Sequence, residues 1–305
     1  MIELMPSPSN TFKQSFAGDI FNTAVYLKRS FSQTQVHLIT AIGKDKFSLE
    51  MLEHFHREHI ETSFVFQSDN KIPGLYAIQT DKTGERSFTY WREDSAARQV
   101  MQYLNDEVIK QISQADMFFF SGISLAILPQ EDRETFWRFI KKLKTAKVQV
   151  VFDPNYRAAL WASPEQAKQQ FELAFEYADI TLPGVDDFQE LYGLTTAEQV
   201  ADYLYPYALK ELLIKNGGKE LLWLGDNQRH FVTIKPVDKV VDATSAGDAF
   251  NGVYLGARLQ GLPAHQSIAL ASKAAAFVIQ HPGAIVPQST FKIFIEELTS
   301  SPHSR

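Results

Sequence analysis

The stretch Val240-Val241-Asp242-Ala243-Thr244-Ser245-Ala246-Gly247-Asp248-Ala249-Phe250-Asn251-Gly252 decides how the chain is read. Two β-branched residues, read as the end of a strand, give way to small ones, and a helical pattern follows. Ala249, Phe250, Val253, Tyr254, Ala257 and Arg258 recur at i, i+3 and i+4, which predicts a helix starting near Ala246 or Gly247. Small residues at a helix entrance leave several backbone N–H groups unpaired and uncovered by side chains. The positive end of the helix dipole reinforces them, so the entrance is a cradle for phosphate charge. Asp248 stands in the first turn of this helix, and locally two readings of it remain open. It either complements the dipole or is a base placed where an incoming hydroxyl would sit.

The rest of the chain sets the frame. Its 305 residues can bury a sizeable core, and 45% hydrophobic with 22% charged residues is ordinary for a soluble globular protein. A net charge of −6 without a basic cluster argues against nucleic acid as a partner. There are no cysteines, which excludes disulfides, thiolate catalysis and thiolate metal sites. No apolar run is long enough to span a membrane and the N-terminus carries no signal-peptide pattern, so a cytoplasmic location is expected.

In chain order, residues 1–19 read as a loop marked by Pro6, Ser7, Pro8 and Ser9, followed by a helix from Ile20 to Phe31. Val36 to Thr40 is a short strand, and a helix runs from about Phe47 to His59. Phe64-Val65-Phe66, Gly74 to Thr80 and Arg86 to Arg92 predict three short strands, with turns at Pro73-Gly74 and Asp81-Lys82-Thr83-Gly84. A meander this small cannot own a core, so it is read as a lid on a larger sheet. Beyond it, Met117–Phe120, Val148–Phe152, Ile180–Leu182 and Leu212–Ile214 are apolar strands, alternating with helices near 103–113, 129–144, 164–177 and 196–204. That alternation predicts an α/β fold with a mainly parallel sheet covered on both faces. A hairpin is expected from Leu221–Leu224 to His230–Ile234, then two helices at about 246–260 and 264–280, and a frayed tail from Thr299.

Ligands of open parallel sheets bind beyond the carboxyl ends of the strands. Polar clusters fall at such ends: Ser121-Gly122-Ile123, Asp153-Pro154-Asn155-Tyr156-Arg157 and Lys215-Asn216-Gly217-Gly218, besides the opening stretch. Each also has a plain structural reading, an Asx-turn around Asp153 and Asn155 or a tight turn at Gly217-Gly218. Tyr76, Tyr90 and Trp91 suit a half-buried sheet face without any ligand. His54, His56 and His59 lack the spacing of a zinc helix and read as a solvated face.

Asp242-Ala243-Thr244-Ser245-Ala246-Gly247-Asp248-Ala249-Phe250 resembles the D-T-x-G-A-G-D-x-F signature of the ribokinase-like (phosphofructokinase B) sugar kinases. Ala17-Gly18-Asp19 with Asn22, and Ile42-Gly43-Lys44-Asp45-Lys46-Phe47 as I-G-x-D-x-F, resemble that family as well. Three stretches resemble more narrowly its 2-keto-3-deoxygluconate kinase branch: Gly74-Leu75-Tyr76 through Gly84-Glu85-Arg86-Ser87-Phe88-Thr89-Tyr90-Trp91-Arg92, Ser121 to Leu128, and Phe152 to Arg157 with Leu160-Trp161. The resemblance covers nearly the whole chain. It implies a ribokinase-like three-layer α/β/α fold in a single domain, residues 1–305, with a mainly parallel central sheet. The small β-lid would be inserted at about 62–95 and joined by the 8–18 segment.

It also implies roles. Asp248 would take the proton from the sugar's terminal hydroxyl, and the N–H groups of Ser245, Ala246, Gly247 and Asp248 would receive the phosphoryl group in transfer. Gly18, Asn22, Tyr76 and Tyr90 would meet the sugar, and Arg92 and Arg157 its carboxylate, which a neutral sugar would not need. Lys215, Asn216, Gly217, Gly283 and Ala284 would frame ATP, and Asp187 would reach Mg²⁺ through water. The implied partners are a small sugar acid and ATP; composition argues against nucleic acid and membrane, a homo-oligomer is expected, and the lid's aromatic residues either close over substrate or pair with a second lid. Ala17 and Ser245 stand where the family often has glycine, and an Ala or Ser is expected to be tolerated at a helix entrance. Gly184 and Asp187 stand for the Asn and Glu of its N-x-x-E element. Met1-Ile2-Glu3-Leu4 corresponds to the end of the family's first strand, so the natural start is expected upstream. A fructokinase-like enzyme and a non-catalytic sugar-binding regulator are the alternatives. The paired arginines speak against the first, and retention of a base at Asp248 against the second.

Overall fold

The computed structural model describes residues 1–7, 11–80 and 86–300. The chain begins with β1 (Ile2–Ser7), β2 (Thr11–Phe16), α1 (Asp19–Ser30), β3 (Thr40–Ile42), α2 (Lys46–Arg57), β4 (Val65–Gln67), β5 (Leu75–Thr80) and β6 (Arg86–Trp91). A 3₁₀ segment, Ala96–Tyr103, leads to α3 (Asp106–Ile112), β7 (Met117–Ser121), α4 (Gly122–Ile127), α5 (Gln130–Thr145), β8 (Gln149–Asp153), α6 (Pro164–Tyr177) and β9 (Ile180–Thr181). Then come α7 (Val185–Tyr192), α8 (Ala197–Leu204), β10 (Glu211–Asn216), β11 (Glu220–Gly225), β12 (Gln228–Thr233), α9 (Ala246–Leu259), α10 (Ala264–Val278) and α11 (Gln288–Ser300). The turns expected at Pro8-Ser9 and at Asp81–Gly84, and the end of the frayed tail, lie outside the described residues. The chain divides into two compact units, one made of Met1–Val100 with Val237–Arg305 and the other of Met101–Pro236.

The first unit holds a four-stranded sheet in the order β2-β1-β5-β6, parallel between β1 and β5 and antiparallel elsewhere. Residues alternate between its faces. Ile2, Phe16, Leu4 and Leu75 on one face pack into a core with Phe21, Val25, Ile42, Met51 and Phe55. On the other face Tyr76 and Ile78 cluster with Ala17 and Ala284, and Met5 packs against them. This corrects three readings. The segment before α1 is a β-hairpin rather than a loop, its second strand hidden because Thr11–Phe16 is largely polar. The strand around Val65 pairs with β3 instead of joining the lid meander. β3 itself begins at Thr40, and upstream only His37 bridges to Glu61.

Helices α1 and α9 are in backbone contact. A methyl group on Gly252 would lie 2.4 Å from the carbonyl oxygen of Thr23 and 2.9 Å from the nitrogen of Leu27. Only glycine permits this approach, and it brings the start of α1 beside the start of α9. Tyr26, Ala249, Val278, Val286 and Phe291 fill the adjoining core, with Phe294 and Ile295 packed against it. The last two belong to α11, a third closing helix beyond the two expected. Val240 and Val241 are exposed and outside any strand, so the small-residue turn is entered from a loop. His54 departs from the solvated face expected of it. Its ring lies 5.4 Å from that of Phe16 and 5.6 Å from that of Phe21, and burial holds its pKa down, while His56 and His59 are exposed.

The second unit holds a six-stranded sheet in the order β12-β11-β10-β9-β8-β7. The strands β7 to β10 run parallel, and β11 and β12 add an antiparallel edge. Phe120, Phe152, Phe171, Phe175 and Phe188 form its aromatic core, with successive ring centroids 5.0 to 6.4 Å apart. The turn between β11 and β12 places Asp226 and Asn227 at φ 50° and 58°, the two-residue geometry that matches strand twist. Among the described residues no helix is long and apolar enough to cross a membrane.

Candidate active site

In the first unit the site is built on the start of α9. Ser245 is its N-cap, in the left-handed conformation with φ 65° and ψ 9°. That conformation costs a non-glycine residue on the order of 1 kcal/mol, which gives the physical reason glycine is common here and corrects the expectation that serine fits freely. The Oγ of Ser245 is buried and finds no partner among the described residues. The Ala246 N–H, expected in the phosphoryl cradle, is turned to the Ala243 carbonyl at 3.3 Å.

Asp248 is held from α1. The Nδ2 of Asn22 donates to its Oδ2 at 2.8 Å, and the Oδ1 of Asn22 accepts from the Gly18 N–H at 3.3 Å. The structure thus brings Gly18, Asn22 and Asp248 into one chain of hydrogen bonds. Asp242, buried beside them, accepts from Thr244 N at 3.1 Å and from Gly283 N at 2.7 Å. Gly283 therefore spends its N–H on shaping the turn. Ala284 is buried, and its carbonyl accepts from the Tyr26 hydroxyl at 2.9 Å.

The four-stranded sheet supplies the remaining groups of this unit. Tyr76 and Tyr90 are register partners, their rings 5.7 Å apart. Tyr90 is 40% exposed, and the Arg92 guanidinium lies 4.0 Å from its ring centroid. Tyr76 is buried, with its hydroxyl directed to Glu3. Glu3 was missed as a functional candidate. The only sequence signal is an acid at an inward position of an otherwise apolar strand.

In the second unit Asp153, Asp187, Arg157 and Lys215 come together at the carboxyl ends of the parallel strands. Lys215 Nζ lies 3.1 Å from Asp153 Oδ2, and Arg157 Nη1 lies 3.7 Å from Asp187 Oδ1. Asp187 also accepts from the N–H of Tyr156 at 2.8 Å and of Gly184 at 3.3 Å. Asn155 adopts φ 33° in the loop between. Arg157 Nη1 also donates to the Tyr156 carbonyl at 2.6 Å, and 55% of its side chain stays exposed. Asn216 ends β10 and Gly217 begins the turn to β11, with Lys219 N donating to Asn216 O at 3.1 Å.

Burial, with the nearby charge of Asp153, pushes the Asp187 pKa up to about 6, against the pull of Lys215 and Arg157. The folded protein therefore binds this proton more tightly than the unfolded chain. Stability contributed by the protonated form is lost as pH rises from about 4 to 6, on the order of 3 kcal/mol in all. Urea titrations should show that slope in the wild type and a flatter one in Asp187→Asn; equal slopes would place its origin elsewhere.

Among the described residues no group of three or more His, Cys, Asp or Glu could hold a metal ion.

A left-handed small-residue turn opening onto a carboxylate-bearing helix, beside a sheet with aromatic and guanidinium groups, is the constellation of a sugar kinase. Residues 3–290 match the model of the pfkB family carbohydrate kinases, and the chain belongs to that family. It is 37% identical over 294 residues to the 2-dehydro-3-deoxygluconokinase of Escherichia coli, covering 94% of this chain and 95% of that protein. To the protein of that name from Dickeya dadantii it is 38% identical over 293 residues, covering 94% of each. In fold it is similar to the crystal structure of 2-dehydro-3-deoxygluconokinase from Thermotoga maritima, with a TM-score of 0.81, 20% identity, and coverage of 99% of this chain and 97% of that one.

Proposed function

We propose that this kinase transfers the γ-phosphoryl group of ATP to the terminal, C6, hydroxyl of 2-keto-3-deoxygluconate, giving 2-keto-3-deoxy-6-phosphogluconate. The observation that carries the reading is the Asn22–Asp248 hydrogen bond, which fixes a carboxylate at the entrance of a helix whose dipole favours phosphate. Asp248 takes the hydroxyl proton, while the backbone N–H groups of Ser245, Gly247 and Asp248 stabilise charge on the phosphoryl group. Arg92 and Tyr90 are assigned to the acid. Arg157 is assigned to its carboxylate, and Lys215, Asn216 and Gly217, with Gly283 and Ala284, to the nucleotide. Asp187 would hold Mg²⁺ through water beside the nucleotide. When bound, the ion supplies charge neutralisation of the phosphates.

The test is an ATP-coupled assay across 2-keto-3-deoxygluconate, gluconate, fructose and ribose. Preference for the keto-deoxy acid supports the reading, and faster turnover of fructose or ribose overturns it. Arg157→Ala should raise KM for the acid about 10- to 100-fold, the loss expected for a hydrogen-bonded charge. KM for ATP should stay within about twofold. A uniform rise in both would make Arg157 a structural residue.

A further inference from the structure

The four-stranded sheet carries one polar row across all its strands. Ser15 on β2 faces Glu3 on β1, Glu3 faces Tyr76 on β5, and Tyr76 faces Tyr90 on β6. Glu3 is 2% exposed, and its carboxylate accepts from Ser15 Oγ at 2.6 Å and from the Tyr76 hydroxyl. Among the described residues no side-chain cation pairs with it, and the Met1 ammonium, which feels its charge, donates to the Ala17 carbonyl at 2.8 Å instead. Two neutral hydroxyls and an ammonium bonded elsewhere compensate a buried carboxylate poorly, so stability alone does not explain an acid here.

A carboxylate accepts and cannot donate, whereas a hydroxyl does either. Glu3 therefore commits the Tyr76 proton inward, leaving the phenol oxygen only lone pairs for anything else. We propose that Glu3 is a positioning residue for the sugar, acting through Tyr76 to make its oxygen an obligatory acceptor of a substrate hydroxyl. The inference rests on the sugar-kinase reading and names the chemistry that Tyr76 selects: a donor hydroxyl, as opposed to a carboxylate or keto oxygen. The location agrees. Tyr76 packs with Ala17, which adjoins Gly18, and with Ala284, which follows the Gly283 bonded to Asp242. Burial and the negative charges of Glu3 and Asp248 all push the Tyr76 pKa upward, so its proton is firmly kept. With the Arg92 guanidinium over the ring of Tyr90, an acceptor and a cation lie close together, which gives a sugar acid one orientation.

Glu3→Gln keeps size and shape, but its amide N–H groups can donate to Tyr76 and turn the phenol proton outward. KM for the sugar acid should rise about 10-fold, with kcat within about threefold and KM for ATP unchanged. Tyr76→Phe should give a rise of the same size. The double variant should match Tyr76→Phe alone, because Glu3 has nothing left to orient. Glu3→Asp, which restores a carboxylate, should recover part of the affinity. An unchanged KM in Glu3→Gln, or rises that multiply in the double variant, would overturn the proposal. If Glu3→Gln does not accumulate folded, Tyr76→Phe decides, and an unchanged KM there overturns it equally. Wild-type turnover tests the substrate reading separately. Should another sugar prove to be the substrate, the same cycle is run with that sugar.

Discussion

Asp248→Asn is expected to lower kcat by about 10²- to 10⁴-fold, the range general bases contribute, with KM values changed by no more than about threefold. The variant isolates basicity from shape. The Asn22 amide can still donate to the remaining carbonyl oxygen at the place of the 2.8 Å bond, and the backbone of the first turn of α9 is untouched. What disappears is the capacity to take a proton, together with a dipole-favoured charge worth about 0.3–1 kcal/mol of stability. Steady-state kinetics with both substrates, beside a thermal melt, separates these effects. Turnover within threefold of wild type would return Asp248 to the role of a helix-capping charge.

The second large effect falls on stability. Gly122→Ala would set a methyl carbon 1.9 Å from the carbonyl oxygen of Pro154 and 2.7 Å from the ring of Phe171. Neither neighbour can yield easily. Pro154 follows Asp153, which is the register partner of Ser121, and Phe171 is 1% exposed. Overpacking against backbone should cost about 3 kcal/mol or more and lower Tm by roughly 5–10 °C. KM for the acid should rise as well, because the displaced loop carries Arg157 and the Tyr156 N–H bonded to Asp187. Gly218→Ala, where an added methyl meets nothing within 4 Å, is the control and should melt with the wild type. A Gly122→Ala protein within about 1 kcal/mol of wild type would show that the loop adjusts freely.

The helices and parallel strands were legible because their apolar periods are long and unbroken, as in α5, α6 and β8. The elements missed have weak local patterns. β2 is mostly polar and is held in place by its partner β1. α4 was read as a polar cluster at a strand end, although a capping box between Ser121 and Ser124 starts a helix there. α11 draws its order from packing on Val278 and on Tyr26, the latter far away in sequence. At the site, Asp248 and Asn22 were found through their motifs. Their bond was invisible because it depends on how closely α1 and α9 approach at Gly252. The Asp153–Lys215 pair and the Glu3–Tyr76 bond were likewise hidden, since partner choice between distant residues leaves no local pattern.

That the first unit is assembled from both ends of the chain has a consequence for biosynthesis. The second unit, Met101–Pro236, is one unbroken run and leaves the ribosome while the closing helices are still unmade. Helix α1 must wait through more than two hundred residues of synthesis before α9 emerges to cover it, exposing Val25 and Tyr26 meanwhile. Contacts of such long separation form late and slowly. The Asn22–Asp248 bond therefore forms late, after the strands of the four-stranded sheet and the whole second unit have been synthesised.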